Sequence, residues 1–295
     1  MLFASMGIIW GIPYLLIKVA VGELSPTSLV FLRTAAGALI LLPVAAARGN
    51  LKALLPHWRV VLLYTVIEIG IPWLLLSDAE LHISSSLAGL LVATVPLIGA
   101  LLARITGAAD RMGWREVTGL VVGFGGVAAV VGFDVSGGIG AFGEMAVVTV
   151  CYAVGPMIIA RKLKDVPAVG VVAASLAITA LAYAPIGILQ MPATALSPKV
   201  IAAVAALAIA CTALAFLLFF ALIAEVGPVR ATIITYVNPA VALTLGIVLL
   251  HEPLTVGTGA GFVLILVGSY LATRRALPQR REVSSPDTVW VRSRV

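Results

Sequence analysis

In the stretch YTVIEIGIPWLLLS, residues 64–77, one carboxylate, Glu68, stands in a run that is otherwise almost wholly apolar. An acid in such surroundings has three uses. It can take up and release a proton or touch a substrate, it can be held ionised by a fixed cation, or it can stay protonated and hydrogen-bonded. Tyr64, Glu68 and Pro72 recur every four residues and share a face if the run is one unbroken helix. Pro72 lacks an N–H, so it frees the Glu68 carbonyl and leaves an acceptor beside the acid. Arg33, in the preceding apolar segment, is the cation that could pair with Glu68. Its guanidinium fork also suits a substrate carboxylate or phosphate, or a structural lock on helix carbonyls. Lys18, near the end of the first segment, can snorkel to the headgroups or join the same site.

Aromatic residues accompany these charges. Trp10, Tyr14 and Lys18 line one face of the first segment, and Tyr152 and Pro156 one face of the sixth. Thr232, Tyr236 and Pro239 keep similar spacing in the ninth, with Asn238 beside them. Such rings either line a substrate cavity or act as packing and interface anchors. Pro13, Pro96, Pro156 and Pro239 can hinge helices around a central site or fix static kinks. No catalytic residue is expected, because no paired acids, Ser/Lys dyad or metal triad occurs at usable spacing. His57, His82 and His251 stand apart at three segment ends, so no metal is expected. Cys151 and Cys211 fall deep in apolar segments as free thiols. GTGAGF, from Gly257, has no strand before it and opens an apolar segment, so no nucleotide cofactor is implied.

The elements that must position these residues follow from composition. The chain of 295 residues is 61% apolar and only 11% charged, with mean hydropathy +1.14. A soluble domain carries roughly 25% charge, so this is a polytopic membrane protein. About 20 apolar residues cross the hydrocarbon core as a helix. Ten segments qualify: Leu2–Ala20, Pro26–Ala47, Trp58–Leu76, Ser84–Ile105, Trp114–Gly132, Gly140–Arg161, Pro167–Gln190, Pro198–Ala224, Pro228–Leu250 and Gly257–Thr273. Their continuous hydrophobicity and length speak against barrel strands.

Charge sets the expected orientation. Arg48, Lys52, Arg59, Arg104, Arg111, Arg115, Arg161, Lys162, Lys164, Arg230, Arg274 and Arg275 all fall on one side if the N-terminus is cytoplasmic. The opposite loops hold Glu23, Asp78, Glu80, Asp134, Glu144 and Glu252, with Lys199 the exception. By the positive-inside rule both termini are cytoplasmic, in a cell inner (plasma) membrane. The same asymmetry accounts for a pI near 9.6 without a nucleic-acid partner. No charged region precedes the first segment, so a cleaved signal peptide is not expected. Residues 274–295 read as a disordered cytoplasmic tail.

The chain repeats itself. Pro13 and Pro156, Lys18 and Arg161, Pro96 and Pro239, and Gly125 and Gly268 are each 143 positions apart. GIPYLLIK pairs with VGPMIIAR, and LLVATVPLIGALL with IITYVNPAVALTL. Five spans per half is an odd number, so the second copy enters the membrane from the opposite side. That is an inverted repeat, an architecture of alternating-access carriers. The expected fold is therefore an all-α membrane protein of ten transmembrane helices, with repeats over residues 1–132 and 140–273.

WGIPYLLIKVAVGELSPTSLVFLR resembles the first two helices of EamA-type carriers of the drug/metabolite transporter superfamily, in Trp10, Gly11, Lys18, Pro26 and Arg33. VNPAVALTLGIVLLHEPLTVGTGAGFVLILVGSYL resembles the family's ninth and tenth helices, in Pro239 and in Glu252 of the Glu-Pro turn. The likeness runs from Met1 to about Thr273. In the first half Asp110 stands where the family often has Glu, and Glu68 is outside the general pattern. The resemblance implies ten helices in two inverted five-helix repeats and movement of small metabolites, often outward. The expectation is a secondary transporter, not an enzyme, for a small metabolite such as an amino acid, with protons as the coupling ion. Its rivals are an uncoupled facilitator or exchanger and a membrane scaffold or regulator. Expected partners are the substrate and the lipid bilayer, with the unit a monomer or a homodimer.

Overall fold

The computed structural model describes residues 2–106, 113–133, 138–226 and 232–273. Asp110, Arg111, Asp134, Arg230 and the tail 274–295 lie outside the described residues, as does the side chain of Thr232. What is described is all-helical, in ten apolar segments. These are α1 (Ala4–Ala20), α2 (Pro26–Ala47), α3 (Lys52–His82), α4 (Ser85–Ile105), α5 (Trp114–Gly132), α6 (Gly138–Lys162), α7 (Ala168–Leu189), α8 (Pro198–Val226), α9 (Ile234–Leu250) and α10 (Val256–Thr273). Eight are long and apolar enough to cross a membrane; α1 and α9 are shorter.

Proline explains most of the breaks. α1 divides at Trp10–Ile12, and its second piece, Pro13–Ala20, begins on the residue with no N–H to offer the preceding turn. α4 divides into Ser85–Val92 and Val95–Ile105, and α9 passes from a 3₁₀ turn into Asn238–Leu250, with Pro96 and Pro239 each second in the new helix. Pro156 differs: it sits inside the uninterrupted Gly138–Lys162 helix, where it removes one ladder bond without ending the run. α3 continues beyond the expected Leu76, so Asp78 and Glu80 occupy its last two turns instead of a loop.

The 143-residue spacing reappears in the backbone. α3 and α8 each contain a π-helical bulge, Val66–Gly70 and Ile209–Leu214, whose first residues are 143 positions apart. Val95 and Asn238, which open the helices after the breaks, keep the same interval. Bulges of this type recur at functional sites, since the extra residue re-aims the side chains that follow.

The core joins α1, α3, α4, α6 and α8 through Tyr14, Leu76, Leu87, Met145 and Leu207. Beside it α5 packs along α10, with Val130 and Ile265 reaching into the core, and α2 along α7. Small residues allow the first contact: a Cβ at Gly119 or Gly268 would overlap the other helix's backbone. Gly268→Val is therefore expected to separate α5 from α10 and cost at least the ~1–3 kcal/mol of overpacking. The check is its thermal unfolding midpoint in detergent; a midpoint equal to wild type would show that the contact is not needed.

Candidate functional site

Arg33 projects from α2 into the bundle and is only 7% exposed. Its guanidinium lies on the Trp73 ring, Cζ 3.6 Å from the centroid. Its Nε donates to Thr212 Oγ1 at 3.0 Å. Thr212 belongs to the bulge of α8, and its own hydroxyl donates to Leu207 O, five residues back, as a π-turn permits. A desolvated cation on an indole face gains about 2 kcal/mol, so this contact fixes the guanidinium. Tyr14, Tyr152, Cys211 and Glu80 surround it within electrostatic reach.

Glu68 lies in the bulge of α3 and leans on α6 at Gly155, where a Cβ would overlap its carboxylate. Its Oε2 is buried and has no hydrogen-bond partner. The Arg33–Glu68 pair that sequence adjacency suggested is not what holds the cation: Arg33 is turned to Trp73 and Thr212, and the acid in its surroundings is Glu80. Tyr152, on α6, lies between Glu68 and Arg33 in electrostatic terms. The bulge closes through a different acceptor from the one expected. Gly70 O accepts from the Tyr183 hydroxyl at 3.0 Å.

The remaining expected residues separate into groups. Tyr14 is 7% exposed, packs by Gly89, and is central. Lys18 neither snorkels nor faces the centre; its Nζ donates to Glu80 O at 2.5 Å and Ile83 O at 2.9 Å, capping the end of α3. Tyr64 is buried with Leu54, Leu163 and Val171, within electrostatic reach of Glu68. Trp10 packs on Phe219, ring centroids 4.6 Å apart, and on Phe216. The Tyr236 hydroxyl shares a hydrogen bond with Thr273 Oγ1 at 2.6 Å, tying the start of α9 to the end of α10. Asn238, with its amide oriented to satisfy both ends, donates to Ile234 O and Gly7 O at 2.9 Å each. The structure thus gathers Tyr14, Arg33, Glu68 and Tyr152, with Tyr64 beside Glu68 at the edge, and leaves Trp10, Lys18, Tyr236 and Asn238 as joints between helices.

Sequence reasoning missed Trp73, Thr212, Gly155 and Glu80. Trp73, Ser77 and Glu80 stand at i, i+4 and i+7, and all three are buried. That one-face spacing was the available signal.

The end of the bundle near Glu80 is closed by carboxylates and carbonyls. Glu252 follows His251, whose left-handed backbone (φ 54°) ends α9 and turns the acid towards α4. One Glu252 oxygen accepts from Ser85 N–H (2.7 Å) and Ser85 Oγ (2.9 Å), the other from Ser86 N–H (2.9 Å) and Ser86 Oγ (2.5 Å). An anion there is doubly favoured, by free N–H groups and by the helix dipole. Glu23 does the same for Ser197, whose side chain and then its N–H (2.8 Å) hold the carboxyl below the usual range. No group of three His, Cys, Asp or Glu side chains among the described residues could hold a metal.

Comparison with known proteins follows the same halves. Residues 1–132 and 142–274 match the model of the EamA-like transporter family. The chain is 24% identical over 284 residues to the uncharacterized transporter YvbV of Bacillus subtilis (strain 168), covering 95% of this chain and 93% of that one. It is 30% identical over 220 residues to a probable terminal-alkyne amino-acid exporter of Streptantibioticus cattleyicolor, covering 72% of each. A solved crystal structure superposes with a TM-score of 0.67 at 22% identity, over 92% of this chain and 95% of that one, a likeness of fold.

Proposed function

The chain belongs to the EamA-like transporter family, and we propose that it is a proton-coupled secondary carrier of a small polar or amphipathic metabolite, in which Glu68 exchanges the proton. The ten helical segments are read as ten spans in two inverted repeats, residues 1–132 and 140–273, with both termini cytoplasmic in the cell inner (plasma) membrane. Residues 274–295 are the cytoplasmic tail. Access alternates as one repeat rocks against the other about the Tyr14, Arg33, Tyr152 and Glu68 centre, with Pro13, Pro96, Pro156 and Pro239 absorbing the bends. An exporter of amino acids is the favoured substrate reading, supported by the name of the 30%-identical relative and by a fixed guanidinium that matches a carboxylate.

The observation that carries the coupling reading is Glu68 itself. One of its oxygens is buried in a bulge without a hydrogen-bond partner, and Arg33, the cation expected to hold it ionised, is turned to Trp73 and Thr212. The test is reconstitution into proteoliposomes and recording of currents over an amino-acid and metabolite panel, with and without a proton gradient. Glu68→Gln is expected to fold and to lose the gradient-dependent current. A variant that transports like wild type would make Glu68 structural and the protein an uncoupled facilitator or exchanger. Absence of flux for the whole panel, with a partner retained on purification, would point to a scaffold or regulator.

A further inference from the structure

Glu80 is the most deeply buried acid among the described residues. Its exposure is 0%, and neither carboxyl oxygen has a hydrogen-bond partner. Cations are close, but neither donates to the carboxyl oxygens. The Lys18 ammonium donates to the main-chain oxygens of Glu80 and Ile83. The Arg33 guanidinium lies on Trp73 with its Nε on Thr212, and it donates to neither Glu80 oxygen. An ionised carboxylate shut away from water with no donor on either oxygen carries a penalty of several kcal/mol, and a bound proton removes it.

We infer that Glu80 is a second proton-binding site, at the end of the bundle opposite the basic loops, and that its occupancy follows the opening of that end. The inference rests on the carrier reading for its place in the cycle. With α1 against the end of α3, the carboxyl is dry and keeps its proton. When α1 parts from α3, Lys18 leaves the carbonyls, water reaches Glu80, the proton passes to the aqueous phase on that side, and the ammonium becomes the counterion of the carboxylate.

The groups around Glu80 fit a proton better than a metal cation. α1 presents Lys18 and Tyr14, α2 presents Arg33, and the turn after α9 presents Glu252. Glu252 is saturated by four donors from Ser85 and Ser86. On α6 the titratable groups facing α3 are Tyr152 and Cys151, near Glu68, and Glu144, beside Asp78 and His82. α4 has no titratable side chain except Arg104, near its far end. A sodium-sized ion needs several oxygen ligands, and the carbonyls nearest the acid are already taken by Lys18.

The experiment is an infrared titration of the full chain in lipid, with glutamate carboxyls isotope-labelled so that their protonated C=O absorption is identified. Wild type and the Glu68→Gln, Glu144→Gln double variant are both expected to show a buried protonated-carboxyl component, and adding Glu80→Gln to the double variant to remove it. If Glu80→Gln does not fold, the Glu68→Gln, Glu144→Gln double variant decides, because Glu80 is then the remaining described glutamate buried without a partner. A component that survives Glu80→Gln in the double-variant background, or that is missing from the double variant itself, overturns the inference. The readout requires no transport. A chain that moves nothing but keeps the Glu80 component refutes the carrier reading alone, whereas a coupled carrier without the component refutes this site alone.

Discussion

Gly155→Ala is expected to lower stability by about 1–3 kcal/mol, the range for overpacking a tight site, and to abolish gradient-dependent transport. The sign is what makes the result informative. In a helix interior Ala is favoured over Gly by about 1 kcal/mol, so the change should stabilise α6 if the neighbouring space were open. It is not open: the new Cβ would overlap the Glu68 carboxylate and lie 2.7 Å from its Cδ. Repeating the substitution in a Glu68→Ala background removes the obstacle, and there Gly155→Ala should become neutral or stabilising. Chemical unfolding of the four proteins in one detergent gives the cycle directly. Equal effects in the two backgrounds would show that the acid does not rest on Gly155, and the site geometry would have to be redrawn.

A comparable loss is expected at the opposite end of the site from a residue that touches no substrate. Glu252→Ala leaves two backbone N–H groups and two hydroxyls of Ser85 and Ser86 without acceptors. Those serines are 0% and 4% exposed, so water replaces the carboxylate poorly. Each orphaned buried donor costs about 1–3 kcal/mol, with incomplete additivity, which gives about 3–5 kcal/mol in total. Glu252→Gln, with one acceptor oxygen in place of two, should lose about half as much. The thermal midpoint in detergent measures both. An Ala variant within about 0.5 kcal/mol of wild type, the scale of ordinary surface changes, would mean that the carboxylate does not clamp α4. The contact joins a residue of the second repeat to a helix of the first, so its loss should also loosen the end of the bundle that Glu80 and Lys18 close.

Helical class, the apolar segments and the 143-residue repeat were legible because they depend on composition and on prolines, which act locally. What was not legible depends on phase. Tyr64, Glu68 and Pro72 share a face only in an unbroken α-helix, and a bulge begins at Val66. The partner of Arg33 was missed for a related reason. Sequence adjacency favoured the acid on the next helix at similar depth, but a flat guanidinium gains more from the Trp73 ring and the Thr212 hydroxyl, the latter supplied by a bulge in the other half. Glu80 read as a loop acid because charge is expected near helix ends, and only the extension of α3 to His82 places it inside. Lys18 looked like a headgroup anchor, since no pattern announces that two main-chain carbonyls will be waiting for it.

The paired bulges also determine which changes of chain length this protein tolerates. Removing one residue from 66–70 would close the wide turn to an α-turn and nearly keep the phase beyond it, whereas removing one from 71–72 would shorten α3 by only about 1.5 Å yet turn everything beyond it by about 100°. Trp73, Ser77 and Glu80 would leave Arg33 and Tyr14 together, as a block, with every individual side chain unaltered. The alignment of the site is thus held as an angle and not as a length. A helix exchanged from a relative will fit here only if it preserves that angle beyond the bulge.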